Sequence, residues 1–232
     1  MANVPLRALP RVFVIGATPD AEIDLPSDEV EKLRKVLRLS SGAEIAVLPN
    51  DGTIIRCEFT GRTAKPKAVE SPAVEAMVHL TIAQSLPKGD KLDEIVRACT
   101  ELGASRFILF PSERTVVQWD EKKVANRLTR LGVICREAAE VSFRTRLPEV
   151  LYWPSLKQVL EKIPDCTVLS EAESEGKPLT KGGAERCVVV GPEGGWSNRE
   201  LTLIGDRGVT LGPRVLRVDH AAPAAAALLL LF

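Results

Sequence analysis

Hydrophobic residues follow different patterns in the two parts of the chain. Up to about residue 70 they form short runs rich in β-branched side chains, which predict strands. The strands are expected at Arg11–Ile15, Glu44–Pro49 and Thr53–Thr60, with a turn at Asn50-Asp51-Gly52 between the last two. Asp28–Leu39 has apolar residues at helical spacing, with Ser27 as the expected N-cap. This part therefore predicts a small β-barrel with one helix.

After a segment with two prolines, residues 64–72, predicted strands and helices alternate. The strands are expected at Val78–Leu86, Arg106–Phe110, Val150–Trp153 and Cys166–Ser170, and the helices at Asp90–Leu102, Glu121–Val141 and Ser155–Ile163. A helix between successive strands is typical of a parallel sheet with right-handed crossovers. We therefore predict an α/β protein with two domains, residues 1–72 and 73–232.

The stretch RCVVVGPEGGWSNRE, Arg186 to Glu200, joins a strand, a glycine turn and a helix start without a spacer. Its apolar residues predict a buried strand up to Val190, and Ser197 with Glu200 has the spacing of a helix capping box. Glycine lets the backbone approach a ligand closely, and α/β proteins bind ligands beyond the carboxyl ends of strands. The pattern predicts a ligand site at residues 191–195, but it also fits a tight turn that binds nothing.

A second stretch, VTLGPRVLRVDHAA from Val209 to Ala222, repeats this arrangement. A short apolar strand meets glycine and proline at Gly212-Pro213. A segment of apolar and basic residues, Arg214–Arg217, follows, and Asp219 begins an alanine-rich helix. Two such loops close together in sequence indicate neighbouring strands that share one rim of the sheet.

The overall charge gives no information about binding partners, but one region of the chain has an excess of basic residues. Basic and acidic residues number 31 each, so the net charge gives no sign of a nucleic-acid partner. Between Lys122 and Arg146, however, seven basic residues stand against two acidic ones. This excess fits either an RNA-binding patch or an ordinary solvated helix face.

The remaining composition argues against several other classes of protein. The five cysteines are widely spaced without a C-x-x-C motif, which predicts buried thiols in a reducing cytoplasm. His79 and His220 lie far apart without a cluster of ligands, so no metal site is predicted. The apolar C-terminus, Ala221–Phe232, is too short to span a membrane, and the N-terminus lacks a signal-peptide pattern.

Together, the two glycine motifs closely resemble the signature of the SPOUT, or trefoil-knot, methyltransferases. The nearest match is the bacterial 16S ribosomal RNA uridine-N3 methyltransferase family, which typically shows GPEGG-[FL]-S-x-x-E and LGPRILR-x-E-T-A. Two earlier stretches, Lys91–Val117 and Leu33–Leu48, are also similar, so the resemblance covers nearly the whole chain. The chain departs from the family pattern at Lys32, Ala98, Val141 and Asp219-His220.

The resemblance implies a C-terminal SPOUT domain with a trefoil knot and an N-terminal PUA-like β-barrel. It also implies S-adenosylmethionine as cofactor. The implied cofactor-binding residues are Leu169, Gly191, Gly194, Gly195, Leu211, Gly212, Val215 and Leu216. The implied catalytic residues are Arg217, Asp219 and Glu193. The Glu193 carboxylate also fits a structural role in holding backbone N–H groups, and either Arg214 or Arg217 would stabilise a uracil anion or hold a phosphate.

The implied partner is 16S ribosomal RNA or the small ribosomal subunit. The RNA contacts are expected at Arg7, Arg11, Arg34, Lys35, Arg38 and Arg114. Family members are homodimers, so the apolar last helix is expected at a dimer interface. Two alternatives stay open: a SPOUT enzyme that acts on another RNA position such as a ribose 2′-oxygen, and a non-catalytic RNA-binding or ribosome-assembly protein.

Overall fold

The computed structural model describes residues 4–170 and 176–231, which divide into two compact units. The first unit comprises residues 4–75 together with Ala139–Leu147. The second comprises Ala76–Ala138 and the described part of residues 148–231. The chain thus leaves the first unit after Glu75, just beyond the boundary predicted at residue 72, while the functions assigned to the two domains stay predictions. Phe232, the last residue of the predicted C-terminal helix, lies outside the described residues.

The first unit is built on a mixed five-stranded sheet in the order β1-β3-β4-β5-β2. Its strands are β1 (Arg11–Phe13), β2 (Ile23–Asp24), β3 (Glu44–Leu48), β4 (Ile54–Phe59) and β5 (Thr63–Glu70). β1 runs parallel to β3, and the other neighbouring strands are antiparallel. Successive side chains point to opposite faces of a strand. Val12 and Phe13 accordingly enter two different apolar clusters, so both faces of the sheet are buried.

The helix of the first unit differs from its prediction. α1 covers Ser27–Glu31 and continues as a π-helical stretch, Lys32–Val36. The N-cap position is taken by Pro26, and no side chain caps the helix, so the Ser27 cap is wrong. Val36 is 72% exposed, so only part of the predicted apolar stripe faces the core.

The proline-containing segment that predicted a domain boundary contains most of β5. Pro66 opposes Cys57 at the point where the pairing of β4 with β5 shifts register. A bulge of this kind accepts a residue that has no N–H to donate. Most β5 side chains are not buried, so the strand lacks the apolar alternation that would identify it in the sequence.

The second unit is the predicted α/β structure with a wholly parallel sheet. Six strands lie in the order β11-β9-β10-β6-β7-β8, and every neighbouring pair is parallel. The strands are β6 (His79–Ser85), β7 (Arg106–Phe110), β8 (Glu149–Tyr152), β9 (Thr167–Leu169), β10 (Glu185–Val190) and β11 (Gly208–Val209). The helices are α2 (Lys91–Leu102), α3 (Glu121–Val141), α4 (Leu156–Lys162), α5 (Asn198–Ile204) and α6 (Val218–Leu230).

Helices cover both faces of this sheet. Buried side chains of α2, α3 and α6 join one apolar cluster, and those of α4 and α5 join the cluster on the opposite face. α2 ends at Gly103, whose φ of +108° lies in the left-handed region that glycine adopts without strain. All five cysteines are buried, as predicted.

Candidate functional site: a cleft at the carboxyl edge of the parallel sheet

A cleft of about 560 Å³ lies at the carboxyl edge of the second unit's sheet. Its lining comes mainly from three segments, residues 169–170, 190–196 and 209–218, which follow β9, β10 and β11. Parallel strands end at the same edge of a sheet, so the loops that follow adjacent strands meet there. β9 lies between β10 and β11. The prediction that the two motif strands are direct neighbours is therefore wrong, because strand order in a parallel sheet does not follow chain order.

All eight residues predicted to bind the cofactor line this one cleft. They are Leu169, Gly191, Gly194, Gly195, Leu211, Gly212, Val215 and Leu216. The expectation that the two glycine loops share one rim is thus confirmed. Their contact with a cofactor stays a prediction.

The turn between β10 and α5 depends on glycine at two positions for different reasons. Gly195 has a φ of +66°, and its N–H donates to the Pro192 carbonyl oxygen at 2.9 Å. A Cβ at Gly191 would lie only 3.0 Å from the Trp196 ring. A Cβ at Gly195 would meet no atom within 4 Å. The turn is therefore packed tightly at its first residue and open at its last.

The predicted capping box at the start of α5 is confirmed. Ser197 Oγ accepts from the Glu200 N–H at 3.1 Å, and the Ser197 N–H donates to Glu200 Oε2 at 2.9 Å. The other Glu200 oxygen accepts from the Glu113 N–H at 2.9 Å. Glu200 therefore joins the loop after β7 to the end of the glycine turn.

The Glu193 carboxylate is held by two groups outside the turn. Its Oε1 accepts from the Lys88 N–H at 3.0 Å and from Lys91 Nζ at 2.6 Å. Partial burial alone would raise the pKa of Glu193, but these hydrogen bonds and the Lys91 charge lower it below its usual value. Glu193 is therefore an ionised anchor between the turn and the start of α2, the structural alternative to its predicted catalytic role.

Arg217 and Asp219 form a bidentate ion pair at the start of α6. Nε and Nη2 of Arg217 donate to the two carboxylate oxygens of Asp219 at 3.1 and 3.0 Å. Desolvation would raise the pKa of Asp219, but a hydrogen bond from its own backbone N–H and the Arg217 contact lower it. The Arg217 side chain is 69% exposed and lines the cleft, whereas Asp219 does not.

The loops of this cleft lie within a match to a known family. A family model described as an RNA methyltransferase domain matches residues 74–230. The ribosomal RNA small subunit methyltransferase E of Bacillus subtilis is 34% identical over 218 residues, which cover 85% of each chain. The chain belongs to the ribosomal RNA small subunit methyltransferase E family. The methyltransferase E of a Synechocystis species is also 34% identical, over 90% of this chain and 72% of that protein.

A solved structure of this family extends the match to the fold. The methyltransferase E of Neisseria gonorrhoeae, bound to S-adenosyl methionine, is 27% identical to this chain. The alignment covers 94% of this chain and 95% of that one, with a TM-score of 0.84. The predicted membership of a ribosomal RNA methyltransferase family is confirmed, and so is the α/β class. The trefoil knot and the PUA-like barrel stay predictions.

Three further residues of the cleft were not predicted as parts of the cofactor site. Lys91, Arg114 and Trp196 all line it. Arg114, predicted as an RNA contact, donates from Nη1 to the Gly194 carbonyl oxygen at 2.7 Å. Trp196 stands directly after the glycine pair in the motif, where the family pattern quoted above has phenylalanine or leucine. This difference from the family pattern could have identified Trp196 in the sequence. No local sequence feature identifies Lys91 as a residue of the cleft.

The other predicted RNA contacts lie in the first unit and differ in how firmly they are held. Arg11 is half-buried; it donates to the Glu140 and Arg7 carbonyl oxygens and lies over the Phe143 ring. Lys35 pairs with Glu31. The exposed residues Arg7, Arg34 and Arg38 present their side chains to solvent, with Arg7 also lying over Phe143. RNA binding by these residues stays a prediction.

Part of the basic excess noticed in the sequence is neutralised within its own unit. Arg127 and Arg130 both pair with the buried Asp93, at 3.1 and 2.6 Å. Within residues 4–170 and 176–231, no group of three or more metal-ligating side chains is found. In the same residues no helix is long and apolar enough to cross a membrane.

Proposed function

We propose that this chain transfers the methyl group of S-adenosylmethionine to N3 of a uridine in the 16S ribosomal RNA of the small subunit. The observation that carries the proposal is the cleft. It combines both glycine motifs of the family at the carboxyl edge of one parallel sheet. Membership of the methyltransferase E family and the S-adenosyl methionine bound to the Neisseria gonorrhoeae protein support the cofactor and the RNA substrate.

The lining of the cleft fits this cofactor. Leu169, Leu211, Val215 and Leu216 supply apolar surface suited to an adenine ring. The glycine turn brings backbone close to the cleft, and a Cβ at Gly194 would lie in van der Waals contact with Arg114, at 3.4 Å. The cofactor supplies a methyl group that is already activated as a sulfonium. The protein therefore has mainly to position the two substrates and to favour loss of the uracil N3 proton.

The charges around the cleft suggest how the uracil anion is favoured. Glu193 and Asp219 both have lowered pKa values and are ionised and paired at neutral pH. Arg214 lines the cleft and has no ion-pair partner within 4 Å among the described residues. A guanidinium without a competing carboxylate lowers the cost of a nearby anion. We therefore assign Arg214 to the uracil anion or a neighbouring phosphate. Arg217, which is paired with Asp219, would help to orient the substrate.

The wider features of the family complete the proposal. The first unit would act as a PUA-like RNA-binding domain through its exposed basic residues, and the loops of the cleft would lie within a trefoil knot. The chain would work in the cytoplasm, where buried thiols stay reduced. It would act as a homodimer. Leu228 and Leu231 at the end of α6 are 40% and 48% exposed, which suits a subunit interface. Sedimentation at micromolar concentration tests this, since a monomer contradicts it.

The decisive experiment is methylation of ribosomal RNA from a bacterial strain that lacks its own methyltransferase E. The purified protein is incubated with 30S subunits, with free 16S RNA and with methyl-labelled cofactor, and the product is digested to nucleosides. We expect 3-methyluridine. A 2′-O-methylated nucleoside would favour the alternative SPOUT reaction. Binding of the cofactor without any methyl transfer would favour the non-catalytic RNA-binding protein.

A further inference from the structure

We propose that Trp196 is a positioning residue that fixes two of the three backbone segments of the cofactor cleft. The inference rests on the proposed function, because it concerns the same cleft. Trp196 is 6% exposed and lines the cleft directly after the glycine turn. Its indole contacts the end of β9 through a hydrogen bond and the end of β10 through its ring.

The hydrogen bond joins two loops that are distant in sequence. Trp196 Nε1 donates to the Leu169 carbonyl oxygen at 2.9 Å. Leu169 is the last residue of β9. Its carbonyl lies beyond the last residue pair between β9 and β10, which is Val168 with Val189. A partly buried carbonyl at a strand end is stabilised by a partner, and here the indole supplies one. The Leu169–Ser170 peptide is therefore held on one side by Trp196 and on the other by β11, where the Ser170 N–H donates to the Val209 carbonyl oxygen at 3.0 Å.

The ring makes a close shape contact with the first glycine of the turn. A Cβ on Gly191 would lie 3.0 Å from Cε2 and 3.1 Å from Cζ2 of Trp196. Contacts this short force a shift of the ring or of the backbone. The ring also stacks on Phe110, with centroids 6.4 Å apart and planes 2° from parallel. The indole thus lies close to both the end of β7 and the glycine turn.

The combination of this hydrogen bond with the ring contact requires tryptophan. Phenylalanine or leucine, which the family pattern has after GPEGG, would fill space beside Phe110 but would have no N–H for the Leu169 carbonyl. Trp196→Phe therefore removes the hydrogen bond and keeps an aromatic ring. The replacement isolates the positioning role from the packing role.

The first test measures cofactor affinity and stability of Trp196→Phe. We expect S-adenosylmethionine to bind roughly three- to tenfold more weakly by calorimetric titration, because the Leu169 segment is less firmly positioned before the cofactor binds. The melting temperature should fall by only about 2–4 °C, the effect of losing one hydrogen bond within the protein. Trp153→Phe is the matched control, since Trp153 belongs to the same unit but does not line the cleft. It should bind the cofactor as the wild type does.

Fluorescence gives a second reading that does not depend on turnover. The chain has three tryptophans. Cofactor binding should change the emission of the wild type and of Trp153→Phe, and most of this change should disappear in Trp196→Phe.

The shape contact is tested by a double-mutant cycle. Gly191→Ala should weaken cofactor binding at least roughly tenfold in the presence of Trp196, because the added methyl group meets the ring. In the Trp196→Leu background the loss should be several-fold smaller. Equal losses in the two backgrounds, or cofactor affinity unchanged in Trp196→Phe, would overturn the inference. A wild-type protein that binds no cofactor would instead overturn the proposed function.

Discussion

Replacing Glu75 should destabilise the first unit more than replacing any exposed carboxylate there. The Glu75 carboxylate accepts five hydrogen bonds from three consecutive residues. The donors are Nε and Nη2 of Arg144 at 3.1 and 2.8 Å, the N–H and Oγ1 of Thr145 at 2.7 and 3.2 Å, and the N–H of Arg146 at 3.1 Å. The side chains of Glu75 and Arg144 are only 23% and 6% exposed. The pair therefore anchors the returning segment Ala139–Leu147 within the first unit.

The expected loss follows from these contacts. Removing one member of a buried ion pair costs about 3–5 kcal/mol, and hydrogen bonds to a charged group contribute about 1.5–3 kcal/mol each without adding fully. Because Glu75 keeps some solvent exposure, we expect Glu75→Ala to lower the free energy of unfolding by about 2–4 kcal/mol. Glu75→Gln retains one acceptor oxygen and should lose about 1–2 kcal/mol. Urea denaturation at pH 7 measures both.

The pH dependence gives the sign of the effect. Burial raises the pKa of Glu75, but the Arg144 charge and the hydrogen bonds together lower it by a larger amount. The pKa of Glu75 in the folded protein therefore lies below its usual value. A depressed pKa stabilises the fold above the unfolded value of about 4.3, and this contribution disappears as the pH falls through the folded value. The stability difference between wild type and Glu75→Gln should therefore shrink below about pH 4.

A matched control is available in the same unit. Glu58 pairs with Lys67 at 2.7 Å, but both side chains are more than a third exposed. Glu58→Gln should leave the denaturation midpoint unchanged, because exposed pairs contribute little. If Glu75→Gln matches this control at pH 7, or if its deficit stays constant down to pH 3, the anchoring role of Glu75 is refuted.

Three further predictions concern the cleft and the RNA surface. Gly195→Val should weaken cofactor binding at least roughly tenfold, because valine cannot adopt the +66° φ without strain; Gly205→Val, at φ +57° outside the cleft lining, should not. Arg34→Ala should flatten the salt dependence of RNA binding by roughly one unit without loss of stability, whereas Arg11→Ala should also lower the melting temperature. Arg217→Ala should lower single-turnover methylation more than RNA affinity. Unchanged turnover and stability would remove Arg217 from the reaction.

The second unit could be predicted because its patterns are strong and local. Continuous apolar runs identify β7 and β10, and their ends agree with the prediction to within one residue. α2 combines an apolar face with a glycine stop. Elements of this kind are buried on a large surface, so tertiary contacts reinforce the local preference.

The first unit shows where local patterns fail. Val36 and Leu37 continue an apolar stripe in the sequence, yet they are 72% and 44% exposed because the helix changes to π-helical pairing after Glu31. β5 is the opposite case: its exposed side chains and Pro66 hide a strand that is fixed by pairing with β4. In both cases neighbours in space decide the outcome, and a sequence window does not contain them.

In the candidate site, too, some features follow from the local sequence, whereas others depend on contacts with residues elsewhere in the chain. Glycine motifs can be recognised in the sequence because they report local backbone demands, such as the positive φ of Gly195. The state of a charged side chain depends on its partner. The ionised Glu193 carboxylate pairs with Lys91, 102 positions earlier in the chain. Arg214 and Arg217 stand three residues apart in one motif and look equivalent in sequence, but Asp219 engages only Arg217. Asp219 occupies Nε and Nη2 of Arg217 and its charge opposes a second anion, although other N–H groups of Arg217 stay available. This difference supports our proposal of Arg214 for the anion, a choice between two arginines that their spacing alone leaves open.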